Sequence, residues 1–425
     1  MLDRERTVAP ANYRRWLIPP AALAVHLSIG QVYAFSVFKE PLVEHFDTKL
    51  TPISVIFSIA IAMLGLSAAV GGTWVERAGP RKAMFVAGCC WSLGFVISAA
   101  GVAIDQLWLV YLGYGVIGGI GLGIGYISPV STLIKWFPDR PGLATGLAIM
   151  GFGGGALVAG PLSDALLSAY ADNPADAVAP AFLTLAAMYF VAMMLGSATV
   201  RLPAEGWKPE GWSPEDEARR TLVTRGNVTA ANAIRTPQFW LLWVVLFCNV
   251  TAGIGILEQA SPMIQDHFGT VTAAAAAGYV GLLSLCNMAG RLGWSSTSDV
   301  IGRKPTYMMY LGVGAILYFL LASTGTASIA WFVLLTAVIL SFYGGGFSTV
   351  PAYLKDLFGT LEVGAIHGRL LTAWSAAGIA GPLIINAIAD AETAAGKSGA
   401  DLYTLSLYIM VGVLVVGFVA NLLIR

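Results

Sequence analysis

The stretch Ala273–Lys304, AAAAAGYVGLLSLCNMAGRLGWSSTSDVIGRK, is apolar enough to cross a bilayer yet holds Arg291 inside it. A guanidinium does not lose its charge in a protein, and placing one in hydrocarbon costs roughly 2.5–3.5 kcal/mol on insertion scales. A chain seldom carries that cost without an anion for the arginine to meet. Asn287 stands four residues earlier, so on a helix its amide and the guanidinium share one face. The pair reads as a carboxylate-holding site facing a polar cavity. A second reading stands beside it. Arg291 is eight residues before Asp299, only about 12 Å from the membrane edge at ~1.5 Å per residue. From there the side chain can also snorkel to headgroups or pair with a carboxylate on another helix.

Composition points the same way as this stretch. The chain has 425 residues, 57% hydrophobic and 11% charged, with a formal net charge of zero. That balance excludes the soluble globular classes, and it gives no sign of a nucleic-acid partner. Cys89, Cys90, Cys248 and Cys286 all fall in apolar runs without metal-ligand spacing, so they read as small core residues. No nucleotide, metal or catalytic-triad pattern is present, and neither a cofactor, a metal nor an enzyme activity is expected.

Twelve apolar runs follow one another. The first is Trp16 to about Phe38, and the others centre on 53–72, 83–103, 107–134, 142–168, 179–200, 238–262, 272–296, 305–323, 328–354, 364–389 and 402–424. Each approaches or exceeds the ~20 residues that a spanning helix needs. Residues 1–15 are a polar N-terminus, 16–200 a six-helix bundle, 201–237 a central loop in which Ser213 can cap a short surface helix from Pro214, and 238–425 a second six-helix bundle. With both termini inside, 19 of the 24 Lys and Arg residues fall on the cytoplasmic side and three on the other. That asymmetry sets the orientation and predicts a multi-pass protein of the cell (plasma or inner) membrane, embedded in the lipid bilayer as a monomer.

The two halves echo each other. At a shift of 221 residues, Phe137 meets Phe358, Gly123 and Gly125 meet Gly344 and Gly346, and Gly160-Pro161-Leu162 meets Gly381-Pro382-Leu383. Near 223, Glu76, Gly79 and Arg81 meet Asp299, Gly302 and Lys304. A parallel repeat of half the chain is the trace of a transporter built from two pseudo-symmetric bundles. The expected fold is therefore all-α, with twelve transmembrane helices.

Gly72-Thr-Trp-Val-Glu76-Arg77-Ala-Gly79-Pro-Arg81-Lys82 resembles the loop 2–3 signature of the major facilitator superfamily, with Glu for its usual Asp. Asp299-Val-Ile-Gly302-Arg303-Lys304 is a looser second copy. Glycine lets such a turn tighten, and Glu76, Arg77, Arg81, Asp299 and Arg303 are expected to clamp neighbouring helices in one conformation. Other segments resemble the oxalate/formate antiporter and monocarboxylate transporter branch: Gly30-Gln-Val-Tyr33-Ala-Phe35-Ser, Gly123-Ile-Gly-Tyr126, Trp136-Phe-Pro-Asp-Arg140-Pro-Gly-Leu-Ala-Thr-Gly146, Thr236-Pro-Gln-Phe-Trp240 and Pro351-Ala…Asp356-Leu-Phe-Gly359.

The resemblance implies a carboxylate bound by the span-8 arginine, here Arg291, with Asn287 beside it. It also implies aromatic walls from spans 1, 4 and 10, here Tyr33, Tyr126, Tyr343 and Phe347. A tyrosine offers an apolar face with one hydroxyl donor at its tip. Ordinary helix packing is the other reading of each ring. Where the oxalate carrier has a second cation in span 11, this chain aligns Trp374. A dianion held by one arginine would leave a carboxylate unmatched, so the expected substrate is a monocarboxylate of the lactate, pyruvate or formate type, moved by alternating access with proton coupling. An anion exchanger of the oxalate/formate type is the alternative, and a carboxylate-sensing receptor is the alternative from another class. The partners expected are thus a small carboxylate and protons or a counter-anion. Animal monocarboxylate carriers use an Asp four residues before the arginine and a lysine in span 1, and this chain has Asn287 and no lysine at the matching place. His26 and Glu258 are the substitute proton-coupling candidates. His367 and Arg369, at the inner end of span 11, read as a gate or headgroup contact.

Overall fold

The computed structural model describes residues 3–10, 12–213, 223–224 and 226–425, and for positions 50, 258, 273, 274 and 382 the backbone alone. The side chain of Glu258 and the surface helix expected from Pro214 therefore lie outside the described residues. Among the described residues, eleven segments are long and apolar enough to cross a membrane. They are α1 (Arg15–His45), α2 (Thr51–Ala78), α3 (Pro80–Ala103), α4 (Leu107–Trp136), α5 (Pro141–Tyr170), α6 (Pro174–Thr199), α7 (Pro237–Leu257), α9 (Arg303–Ala327), α10 (Ile329–Phe358), α11 (Val363–Ala394) and α12 (Asp401–Leu423). The helix bearing Arg291, α8 (Ala273–Ile301), has 29 residues and completes the twelve.

Local chemistry sets the helix ends. Pro80, Pro141, Pro174 and Pro237 open α3, α5, α6 and α7, where a fixed φ suits the first turn and no N–H is needed. The Asn173 side chain accepts from the Ala175 N–H at 3.1 Å, and Thr236 and Thr272 accept from Phe239 and Ala275 at 3.3 Å. Gly79 (φ 84°) and Gly302 (φ 92°) turn α2 into α3 and α8 into α9 in a conformation that a side chain would strain.

The chain forms two compact units, Met1–Ala233 with Leu354–Thr372, and Ile234–Tyr353 with Ala373–Arg425. The first unit thus includes the C-terminal end of α10 and the first turns of α11, which pack on α2. Their approach is close. A Cβ added at Gly72 would lie 2.7 Å from Ala365 Cα, and one at Gly364 would lie 2.6 Å from Glu76 Oε1. Within the same unit α1 and α5 touch backbone to backbone, since a Cβ at Gly155 would lie 2.6 Å from Gly30 Cα.

Both units close their last helix with the same device. Arg81 donates to the carbonyls of Ala198 (3.2 Å) and Val200 (3.5 Å) at the end of α6. Lys304, its repeat counterpart, donates to Leu422 (2.8 Å) and Ile424 (2.7 Å) at the end of α12. In each case a cation meets the unsatisfied carbonyls and the negative pole of a helix.

Candidate functional site

In the second unit, α8, α10 and α11 bring together the polar pair and three of the rings that the sequence named. Arg291 is fully buried, 0% exposed, and Asn287 is 3% exposed. The guanidinium is therefore buried in the protein, not snorkelled to headgroups. Arg291 Nε donates to Asn287 Oδ1 at 3.2 Å, the contact that an i, i+4 spacing makes available. The guanidinium carbon stands 5.3 Å from the centre of the Phe347 ring, a cation–π distance. Phe347 in turn meets Tyr343 edge-on at 5.2 Å and Trp374 at 4.8 Å. Glycine allows this gathering. A Cβ at Gly344 on α10 would lie 2.6 Å from Asn287 Oδ1 and closer still to the Asn287 carbonyl, so α10 lies directly on the polar pair. A charge oriented by an amide and faced by π-rings is suited to receive a planar anion with an apolar tail.

The first unit holds a second group of rings. Tyr126 and Phe152 are fully buried, and Tyr33 is half-buried. Phe152 joins Tyr33 (5.0 Å) to Tyr126 (5.2 Å). Tyr126 also faces His26 at 5.3 Å and His367 at 5.8 Å. Phe152 was not anticipated, although it is the one large side chain in Gly151-Phe152-Gly153-Gly154-Gly155. The headgroup reading fails for His367, which is 1% exposed. Arg369 turns to its own helix and to α2, donating to Ala365 O (3.0 Å) and Thr73 Oγ1 (3.3 Å).

The clamp residues are arranged differently from the expectation. Glu76 pairs with Lys135 of α4 at 2.5 Å and accepts the Gly364 N–H at 2.9 Å. Its carboxylate therefore sits at the N-terminus of α11, where the helix dipole favours an anion. Lys135 was not in the expected set. Arg77 is exposed, and Arg81 serves the end of α6 as described above. In the second copy, Asp299 pairs with Arg303 at 2.6 Å, and Arg303 also donates to Ser298 Oγ.

Twelve helices in a pseudo-repeated pair of six, with glycine turns and cation-capped helix ends repeated in each half, define a multi-pass membrane transporter. The model of the Major Facilitator Superfamily matches residues 21–382, and the chain belongs to that family. Among its relatives is the oxalate:formate antiporter of Oxalobacter formigenes, 25% identical over 368 residues that make 86% of this chain and 83% of that protein. Apicoplast pyruvate carrier 1 of Toxoplasma gondii is 26% identical over 371 residues, covering 75% of this chain and 66% of that protein. The crystal structure of the Escherichia coli fucose:proton symporter superposes with a TM-score of 0.69 at 14% identity, over 97% of this chain and 100% of that chain; at that identity it speaks to the fold alone.

Proposed function

We propose that the protein is a secondary active transporter that carries a small monocarboxylate across the cell membrane, coupled to protons, by rocking its two pseudo-repeated halves about a midplane site. The observation that carries this reading is the fully buried Arg291, oriented by Asn287 and walled by Phe347, Tyr343 and Trp374. The guanidinium and the Asn287 amide hold the carboxylate, and Phe347 and Trp374 enclose its short apolar end. With Trp374 where a second cation would be needed, a dianion is left with one unmatched carboxylate, which disfavours oxalate. The Lys and Arg asymmetry supports cytoplasmic termini, and the protein acts as a monomer in the bilayer. Protons enter through His26 or Glu258.

Exchange of two anions is the second reading, favoured by the oxalate:formate antiporter among the relatives. The test is uptake by proteoliposomes across a panel of small carboxylates, with and without a proton gradient. Pyruvate or lactate accumulating with the gradient supports symport of a monocarboxylate. Stronger inhibition by oxalate than by pyruvate, or transport that needs a counter-anion inside and ignores the gradient, would replace it with exchange.

A further inference from the structure

His26 sits on α1 with 0% exposure and is cradled by two helices at once. Its Nδ1 lies 2.5 Å from the Ala148 carbonyl oxygen of α5, and its Nε2 lies 3.1 Å from the Tyr126 carbonyl oxygen of α4. A carbonyl oxygen can only accept. A neutral imidazole donates from one nitrogen and presents a lone pair on the other, so one of the two contacts would set lone pair against lone pair. An imidazolium donates from both and satisfies both. The cradle is held in place by the backbone contact of α1 with α5 through Gly30 and Gly155, and by Gly151, where a Cβ would lie 3.2 Å from His26 Cβ.

His367 is the opposite case. It is 1% exposed, and neither ring nitrogen has a hydrogen-bond partner among the described residues. That surrounding suits a neutral ring. The Tyr126 ring meets both histidines, 5.3 Å from His26 and 5.8 Å from His367. Several other titratable groups on α1, α2, α6 and α11 have contacts of their own. Tyr33 meets Phe152, Tyr189 of α6 meets Trp91 and Phe95, Glu76 of α2 holds Lys135 and the Gly364 N–H, and Arg369 holds Thr73.

We propose that His26 and His367 form one proton-binding site, loaded once, with the proton on His26 while the first turns of α11 pack against α2, and that this proton is the one moved with the carboxylate. The inference rests on the reading of the chain as a proton-coupled carboxylate carrier, and it selects His26 over Glu258 as the coupling residue. Loading forms one N–H bond at the lone pair of a neutral His26 and breaks none in the protein; release returns the proton to water. His367, with no acceptor for either ring nitrogen among the described residues, offers no seat for a second proton. His367 thereby links the loading of α1 to the seating of α11, the segment on which it is carried.

The test uses the full chain in liposomes, comparing wild type, His26→Gln and His367→Gln. Radiolabelled pyruvate accumulation driven by a proton gradient, proton entry read by an internal pH dye, and pyruvate counterflow are measured together. His26→Gln is expected to lose gradient-driven accumulation and proton entry while counterflow, which needs no net proton movement, falls far less. His367→Gln is expected to keep proton entry and shift its pH dependence. Accumulation and proton entry surviving His26→Gln would overturn the proposal. Nitrogen-15 histidine spectra of a His45→Gln/His267→Gln protein decide independently of folding defects in the His26 variant. At about pH 7.5, well above the ordinary histidine range, one ring should carry protons on both nitrogens, and two neutral rings would refute the site. A wild type that moves none of the carboxylates refutes the substrate reading and leaves the spectra to judge the histidines.

Discussion

Glu76→Gln tests how the start of α11 is held. The carboxylate has 8% side-chain exposure, pairs with Lys135 at 2.5 Å and accepts the Gly364 N–H at 2.9 Å. Glutamine keeps an acceptor for that N–H but loses the charge. A hydrogen bond to a charged group contributes about 1.5–3 kcal/mol and a neutral one about 0.5–1.5, so the exchange removes about 1–1.5 kcal/mol at Gly364. An anion at a helix N-terminus adds about 0.3–1 kcal/mol. Lys135 has 21% side-chain exposure and regains part of its hydration, so the loss at that partner stays well below the several kcal/mol of a fully buried pair. The sum is about 2 kcal/mol, or roughly a thirtyfold rise in the open population of this segment. Hydrogen exchange read by mass spectrometry on peptides spanning 363–370 should quicken by about that factor, while peptides from α12 should not change. Unaltered exchange over 363–370 would show that apolar packing of Gly364, Ala365 and Gly368 holds the segment without the carboxylate.

Further outcomes follow from the same contacts. Arg291→Ala should weaken carboxylate binding about thirtyfold or more, the loss of one partner of a buried charge pair, and Arg291→Lys should recover little, because an ammonium lacks the planar fork; ligand-induced shifts in melting temperature read both. Trp374→Lys should raise inhibition by oxalate relative to pyruvate roughly tenfold, the equivalent of one added charge-assisted hydrogen bond, as measured by competition uptake. Gly155→Val should destabilise the protein by about 1–3 kcal/mol, since its side chain would enter the α1 backbone, whereas Gly160→Ala, with nothing within 4 Å of its Cβ, should stay within about 0.5 kcal/mol; denaturant titration in detergent compares them. Arg15→Ala should lower the melting temperature, because Arg15 grips Asp139 through two bonds of 2.6 and 2.9 Å and lies 4.6 Å from the Phe137 ring.

What was readable from sequence is what depends on neighbours along the chain. The spans follow from run length, the turns at Gly79 and Gly302 from the motif, and the Asn287–Arg291 contact from a four-residue step on one helix. What was hidden depends on how helices are rotated against each other. Lys135 is 59 residues from Glu76, and nothing in either run fixes which face each presents, because a span that is apolar all round gives no amphipathic stripe to read. For the same reason His367 looked like an interfacial residue, being close to Arg369 and to the end of its run. Only the packing of Gly364 and Gly368 against α2 turns it inward.

The repeat bears on why the two proposed chemistries fall in different halves. At the shift of 223 residues that relates the charged turns, His26 of α1 corresponds to Asn249 of α7. Both are buried, at 0% and 4% exposure, and both press on the glycine-rich helix of their own unit. His26 reaches the Tyr126 carbonyl beside Gly125, and Asn249 packs on Gly346, the repeat partner of Gly125. The fold thus offers one equivalent polar seat in each bundle. An amide in that seat stays neutral at every physiological pH, whereas an imidazole there is offered two acceptors and can take a proton. Arg291, the proposed cation for the substrate, shows the converse asymmetry. Its repeat position at that shift in α2 is Ala68, whose carbonyl lies against Gly368 of α11. A guanidinium at 68 would prevent that seating. Under the proposed function the exchangeable charge at His26 and the fixed charge at Arg291 sit in separate bundles, so binding at one has to change the affinity at the other through helix movement, since coupling is an interaction free energy between two sites.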